Sequence, residues 1–503
     1  MTKRVVLGAL FGALAVLGTG CSDECVDQFD CRDKGTPPEG QQWICNPDNK
    51  CQLQAFVPEP IVDAGTEVDA GTEVDAGTGM DAGTEVDAGT GMDAGTDAGT
   101  GMDAGTDAGM TVAKGGACTA SAECMAGLRC EANTCQSLLI AVTANGVAAG
   151  DAGTSTVAVV TAYDDVAGMT QLSAAGVPSA YPRFGPGGPQ VAFVQGNVVE
   201  PTGELAVLPV PLTATTPTVL TTGTAAGDAR IRYMEWEPGN LIVWVRGNSG
   251  ISTIAATGGT PTTVTPNGTF PEWGPNGTEL AYSASGTGIL VSTNGGAPTP
   301  LAGSPTTAEQ PHFNRVNSQL LFLANPDNKT VTFGGVATPV LQLYSLPVTG
   351  GGTPTTIAAS TSQPAAGGSV DSYIANPNWA PDGSWVAYVR AYYQLIGNAA
   401  ILCGNTGATL CGTTAGNVIF LQRVDTTTGA PVGDPVQLAE NATLPSFSPD
   451  SAFVAYIQSG ALTVQAINPV SGQPAGAPIV HMKTTFTALT SEGDDYRPRW
   501  QPR

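Results

Sequence analysis

Along the second half of the chain, apolar and polar positions alternate in short runs, each introduced by an aromatic residue and a turn. The segment Asn376 to Val389, NPNWAPDGSWVAYV, shows the unit most clearly. Trp379 ends one short strand, a tight turn follows, and a second strand places Val386 and Tyr388 on one face and the small Ala387 on the other. Pro381 presets φ for the turn, Asp382 favours it, and Gly383 accepts the positive φ that closes it.

The unit recurs as YPRFGPGGPQVAFV from Tyr181, YMEWEPGNLIVWV from Tyr233, FPEWGPNGTELAYS from Phe270, QPHFNRVNSQLLFL from Gln310 and LPSFSPDSAFVAYI from Leu444, and YRPRW stands near the end. The anchoring aromatics are Phe184, Trp236, Trp273, Phe313, Trp379, Phe447 and Trp500, spaced by about forty to nearly seventy residues. That is the range of a four-stranded propeller blade with loop insertions. A single Pro-aromatic-turn-strand is common; a series in register is strong evidence for an all-β propeller.

At these residues the chain resembles the WD40-like (PD40) repeat of TolB-type β-propellers, with P-x-W-x-P-D-G-x-x-x-A-[FY] kept best from Pro377 to Tyr388. The resemblance covers roughly Ser137 to Arg503 and implies a ring of blades. It departs in two places: no segment before the propeller suits TolB's N-terminal α/β domain, and the Gln310 copy lacks the Pro-Asp-Gly turn. TolB's own role in the Tol–Pal system is therefore not implied.

The ends of the repeat region suggest how the ring closes. LLIAVTANG, STVAVVTAYDD and MTQLS suit the second, third and fourth strands of a blade without a first strand, and Arg497 to Gln501 supplies a first strand alone. Pairing them removes the exposed edges. Six internal copies plus this composite predict seven blades; six is the alternative if the early strands are only a lead-in. The anchoring aromatics would then fill the wedges between blades, with Ala192, Ala281, Ala387 and Ala455 permitting close packing.

Upstream, the pattern changes. Thr2-Lys3-Arg4 and the apolar run to Gly20 read as a signal peptide, too short for a membrane span. The small residues before Cys21 resemble a bacterial lipobox, although Gly18 stands where Leu is usual; the resemblance implies cleavage and lipidation of Cys21. Of eleven cysteines, ten then remain. Cys25, Cys31, Cys45 and Cys51 form one cluster, and Cys118, Cys124, Cys130 and Cys135 a second that shares its beginning and end. Segments this small need disulfides and an oxidising compartment, and no Cys-x2-Cys spacing supports zinc. Four cysteines allow three pairings, left open here. Cys403 and Cys411 lie in one Gly/Thr-rich insertion and are expected to staple it.

Between the clusters, Val57 to Met110 carries thirteen acids, no Lys or Arg, and Asp-Ala-Gly nine times. Such a segment cannot offset the entropy of ordering and is expected to be a disordered, self-repelling tether. Its aspartates stand four or six apart, unlike the alternating ligands of a calcium loop. The tether resembles linkers of deltaproteobacterial (myxobacterial) lipoproteins. The expected organisation is signal peptide 1–20, first module 21–56, tether 57–112, second module 113–136 and propeller 137–503.

The formal charge is −24, but from Ser137 on there are twenty-one acids and twelve bases. No basic patch of the kind nucleic acids or anionic headgroups need is evident. Chemistry is equally scarce. The chain has no Gly-x-Ser-x-Gly, no phosphate loop and only two histidines. His312 fills the variable slot before Phe313, whose counterparts are Arg183, Glu235, Glu272, Asn378, Ser446 and Arg499. On inner strands this slot would line or rim the central channel; otherwise it is surface polarity. His481 reads as a loop or edge-strand residue. The neighbouring acids Asp164-Asp165 and Asp494-Asp495 read as solvated turns. No catalytic, cofactor or metal residue is assigned, and no hydrolase domain is expected after the repeats.

The expectation is an exported, monomeric envelope lipoprotein, anchored by lipid in the outer membrane on its periplasmic or surface side. Its propeller would bind an envelope protein or glycan. The alternative is a propeller-type polysaccharide lyase or a glycan-binding lectin, against which the scarcity of histidine counts.

Overall fold

A computed structural model describes residues 41–45, 50–55, 112–145, 155–162, 170–196, 203–210, 216–222, 231–236, 238–247, 250–349, 351–397, 399–481 and 496–503. The signal peptide, Cys21, the tether to residue 111 and both adjacent acid pairs lie outside these residues. Two units divide the chain, Met1–Gly101 and Met102–Arg503. In the first, the strands Gln41–Cys45 and Cys51–Ala55 pair as a hairpin with Cys45 opposite Cys51.

The second unit is all-β, a propeller of antiparallel four-stranded blades. Six separate sheets hold four strands each. The Trp379 repeat departs from that form because its four strands belong to an eight-stranded sheet. In the Phe184 blade the strands run outward as Ser179–Phe184, Gln190–Gln195, Glu204–Pro209 and Thr218–Thr222. The innermost strands pack in a closed round, Ser179–Phe184 on Ile231–Trp236, then Thr269–Trp273, Glu309–Phe313, Gly368–Trp379, Ala442–Phe447 and Arg499–Trp500, which returns to Ser179–Phe184.

Closure is by exchange between the two ends of the repeat region. Arg499–Trp500 pairs with Leu139–Asn145, Trp500 opposite Ile140, and Ser155–Thr161 and Thr170–Gln171 complete that sheet. Tyr181 and Tyr496 meet edge-on across the seam, their ring centroids 5.1 Å apart. Trp500 donates its indole N–H to the Ser446 carbonyl at 3.0 Å, and Trp379 donates to the His312 carbonyl at 3.1 Å. Ala192, Ala281, Ala387 and Ala455 are completely buried. The anchors thus tie neighbouring blades together, with small side chains beside them.

The enlarged sheet arises because Gly368–Trp379 and Trp385–Ile396 are each 12 residues long and continue past the blade. Beyond it, Ser362–Ala365 and Ala399–Leu402 add on either side. The hairpin Thr330–Phe333/Val336–Pro339, inserted in the preceding blade, joins through a parallel pairing of Thr332 with Ala399. Two insertions from neighbouring repeats therefore share one annex sheet. Cys403 is bonded to Cys411 at its margin. Within it Asp371, 1% exposed, would be pushed up by burial, but hydrogen bonds from Ser362 and Ser369 and the Lys329 ammonium at 3.2 Å more than offset this and hold its carboxyl low.

Each inner strand before the closing one also carries a β-bulge three residues ahead of its anchor. Pairing registers shift between Ala180 and Arg183, Arg232 and Glu235, Thr269 and Glu272, Glu309 and His312, Ala375 and Asn378, and Thr443 and Ser446. At these places Tyr181, Tyr233, Phe270, Gln310, Asn376 and Leu444 adopt φ of 48° to 61°. A proline follows all of them but Tyr233, and a bulge is where a residue without an N–H can sit in a strand. The freed N–H groups serve the neighbouring blade: Tyr181 donates to Thr143 Oγ1 and Gln310 to Ser283 Oγ, each at 3.1 Å.

The turns interlock in the same way. Gly383 donates its N–H to the Ala380 carbonyl at 2.8 Å and has φ +74°, and a Cβ there would come within 2.9 Å of the Asn314 amide in the preceding blade. The Gln310 repeat replaces Pro-Asp-Gly with an Asx turn, in which Asn314 Oδ1 accepts from the backbone of Val316 at 2.8 Å and Asn317 at 3.3 Å. Loss of the motif has not cost the turn.

Finally, the second cysteine module is seated on the closure seam. Its pairings are Cys118–Cys130 and Cys124–Cys135, and its hairpin sets Cys130 opposite Cys135. Arg503 donates to the carbonyls of Ser121 at 2.8 Å and Cys124 at 2.6 Å, while Arg129 donates to those of Pro502 at 2.7 Å and Gly187 at 3.0 Å.

Candidate functional site: the channel mouth

The bulge and the turn together decide where the slot residues go. After the bulge each inner strand resumes pairing at the slot, with Arg183 opposite Ala192 and Asn378 opposite Ala387. Because the inner strands encircle the axis, all seven slot residues, Arg183, Glu235, Glu272, His312, Asn378, Ser446 and Arg499, line one cavity of about 580 Å³ at the mouth of the channel. Phe184, Trp236, Phe313, Trp379, Phe447 and Trp500 line it too. Trp273 is the one anchor that does not. Below, Tyr233 and Phe270 meet with ring centroids 4.2 Å apart and leave only a recess of about 20 Å³. The bulged aromatics form that floor.

The slot is therefore the channel lining rather than general surface polarity. Its charges are unevenly distributed. Glu235 Oε1 accepts from Arg183 Nε at 3.1 Å and lies 3.3 Å from Arg499 Nη2. Glu272 stands 3.9 Å from both His312 Nδ1 and Arg315 Nη2. Arg183 is 4% exposed, and this depth requires the carboxylate partner. On the far side of the ring, Asn378 Oδ1 accepts the Phe447 N–H at 3.1 Å. Arg315, in the turn after its strand, and Arg503, three residues past Trp500, reach the same rim. Pro381 lines it as well, whereas Asp382 caps its own turn by accepting from Ser384 Oγ at 2.8 Å.

His481 is placed elsewhere, buried at the outer strand Ile479–His481 of the Phe447 blade, two blades away from that of His312. Among the described residues the one close group of metal-ligating side chains is Cys118, Cys124 and Cys135, and all three sulfurs are in disulfides. No described helix is long and apolar enough to cross a membrane. Sequence reasoning missed Arg315 and Arg503, since neither sits in the slot. It also missed the bulge, for which the proline two places before the anchor, in mid-strand, was the available signal.

No protein-family model matches this chain, and no curated protein matches it. Solved propellers do. TolB from Acinetobacter baumannii is 13% identical over 73% of this chain and 66% of its own, with a TM-score of 0.36. A protein of Bacteroides uniformis, provisionally assigned as a 6-phosphogluconolactonase, is 12% identical over 69% of this chain and 97% of its own, with a TM-score of 0.44. The tricorn protease is 14% identical over 68% of this chain and 34% of its own, with a TM-score of 0.43. The chain is thus a β-propeller by its own sheets, and the likenesses add no activity or partner.

Proposed function

We propose that this is an exported envelope lipoprotein, of the deltaproteobacterial type, whose propeller is a binding scaffold rather than a catalyst. Lipid at Cys21 would anchor it to the outer membrane, the acidic tether would give reach, and the channel mouth would meet the partner. The carrying observation is the ring of seven slot residues around one cavity, five kinds of polar group set on the same backbone frame. A frame that holds position and varies chemistry is suited to recognition.

Two measurements test this. Crosslinked recovery from envelope extract with the full chain as bait should yield one dominant protein, and Arg315→Trp, which plugs the rim from a half-exposed position, should abolish its capture. Capture that survives the plug places the binding face elsewhere, and recovery of glycan alone refutes a protein partner. Separately, Cys21→Ala should release the protein from membrane fractions; continued retention would contradict lipid anchoring.

A further inference from the structure

The charge at the mouth is opposite in sign to that of the chain. Arg183, Arg315, Arg499 and Arg503 line the cavity with two carboxylates, Glu235 and Glu272, while Asp450, outside the lining, lies 3.5 Å from Arg503. Four of the twelve bases from Ser137 onward thus meet at one rim of a domain that carries twenty-one acids. Coulomb repulsion makes such a convergence unfavourable unless negative charge meets it.

The donors also exceed the acceptors. Arg499 Nη2 is ion-paired with Glu235 Oε1 at 3.3 Å without forming a hydrogen bond to it, and the buried Nε has no hydrogen-bond acceptor among the described residues. These two atoms form one edge of the guanidinium plane, the fork that matches the two oxygens of a carboxylate. The Trp236 indole N–H, at the wall of the same cavity, likewise has no acceptor, whereas those of Trp379 and Trp500 donate to backbone carbonyls of the preceding repeat. Buried donors normally have partners, and leaving one without a partner is costly. Both lie on the side of the ring already crowded with arginine.

Taking the mouth as the binding face, the geometry points to a small carboxylate as its ligand, held side-on by Arg499 and screened at the rim by Arg315. The cavity, about 580 Å³, is of the size that encloses a small molecule. Glu235 holds Arg183 by a hydrogen bond and Arg499 by a looser ion pair, so Arg499, whose Nε has no acceptor, is the group left to take a carboxylate.

Isothermal titration of the full chain with citrate, and separately with inorganic phosphate, tests the assignment. Citrate is expected to bind at one site. Loss of a charge-assisted fork should weaken it about tenfold or more in Arg499→Gln, and by a smaller factor in Arg315→Gln. Lys329→Gln, in the annex, should leave affinity unchanged. Arg315 is 47% exposed, so its variant folds normally and reports even if Arg499→Gln does not. Absence of citrate binding, equal affinity in both arginine variants, or preference for phosphate overturns the assignment. Failure here with partner capture still blocked by Arg315→Trp leaves the scaffold reading standing; loss of both defeats both.

Discussion

Removing Tyr496–Arg503 is expected to abolish the cooperative unfolding transition of the propeller. The deletion takes away the innermost strand of the closing blade and exposes the edge of Leu139–Asn145. It also removes Trp500, 8% exposed and bonded to the Ser446 carbonyl, and the fully buried Arg497, which donates to the Pro377 carbonyl at 2.9 Å. Trp500→Ala alone should cost about 3–5 kcal/mol, the usual range for a buried tryptophan. The same eight residues carry the Arg503 bonds that seat the cysteine module, so its protection from proteolysis should fall in parallel. Denaturant titration of full-length and truncated chains decides the matter. Equal midpoints would show that the ring is not held by its seam.

The second large effect belongs to Trp385, at the start of the strand that follows the best-kept turn. Its ring is 3% exposed and lies over Gly472 in the next blade, and its N–H donates to the Pro469 carbonyl at 3.0 Å. Trp385→Ala should cost about 3–5 kcal/mol, and Trp385→Phe, which refills most of the space, about 1–2 kcal/mol. Gly472→Ala should also destabilise, because φ is +68° and the added Cβ would come 2.6 Å from the tryptophan ring. Combined with Trp385→Ala, however, that Cβ enters vacated space. The double variant should therefore lose less than the two single losses together, and strict additivity in urea titration would show that the residues do not act as a unit.

Much of the site was one inference away from the sequence. The slot before each anchor could be aligned by eye, and its identities, Arg183, Glu235, Glu272, His312, Asn378, Ser446 and Arg499, needed only the inner strand to become a ring. Arg315 and Arg503 could not be found that way, since both lie outside the aligned slot, Arg315 in a turn and Arg503 three residues past Trp500. The annex was hidden for a related reason. Residues 330–339, 362–365 and 399–402 lie outside the repeat unit, and nothing local says that such segments of neighbouring repeats pair with each other.

Alternating strands, their anchoring aromatics and the closure from the two ends of the repeat region were determined by the sequence alone, because side-chain period and turn chemistry act over a few residues. What only the tertiary structure decided was the merging of the Trp379 repeat into an eight-stranded sheet, the seating of the cysteine module on the seam, and the gathering of four arginines at one rim. These depend on contacts between residues tens to hundreds of positions apart, and no local pattern records which distant surfaces will meet.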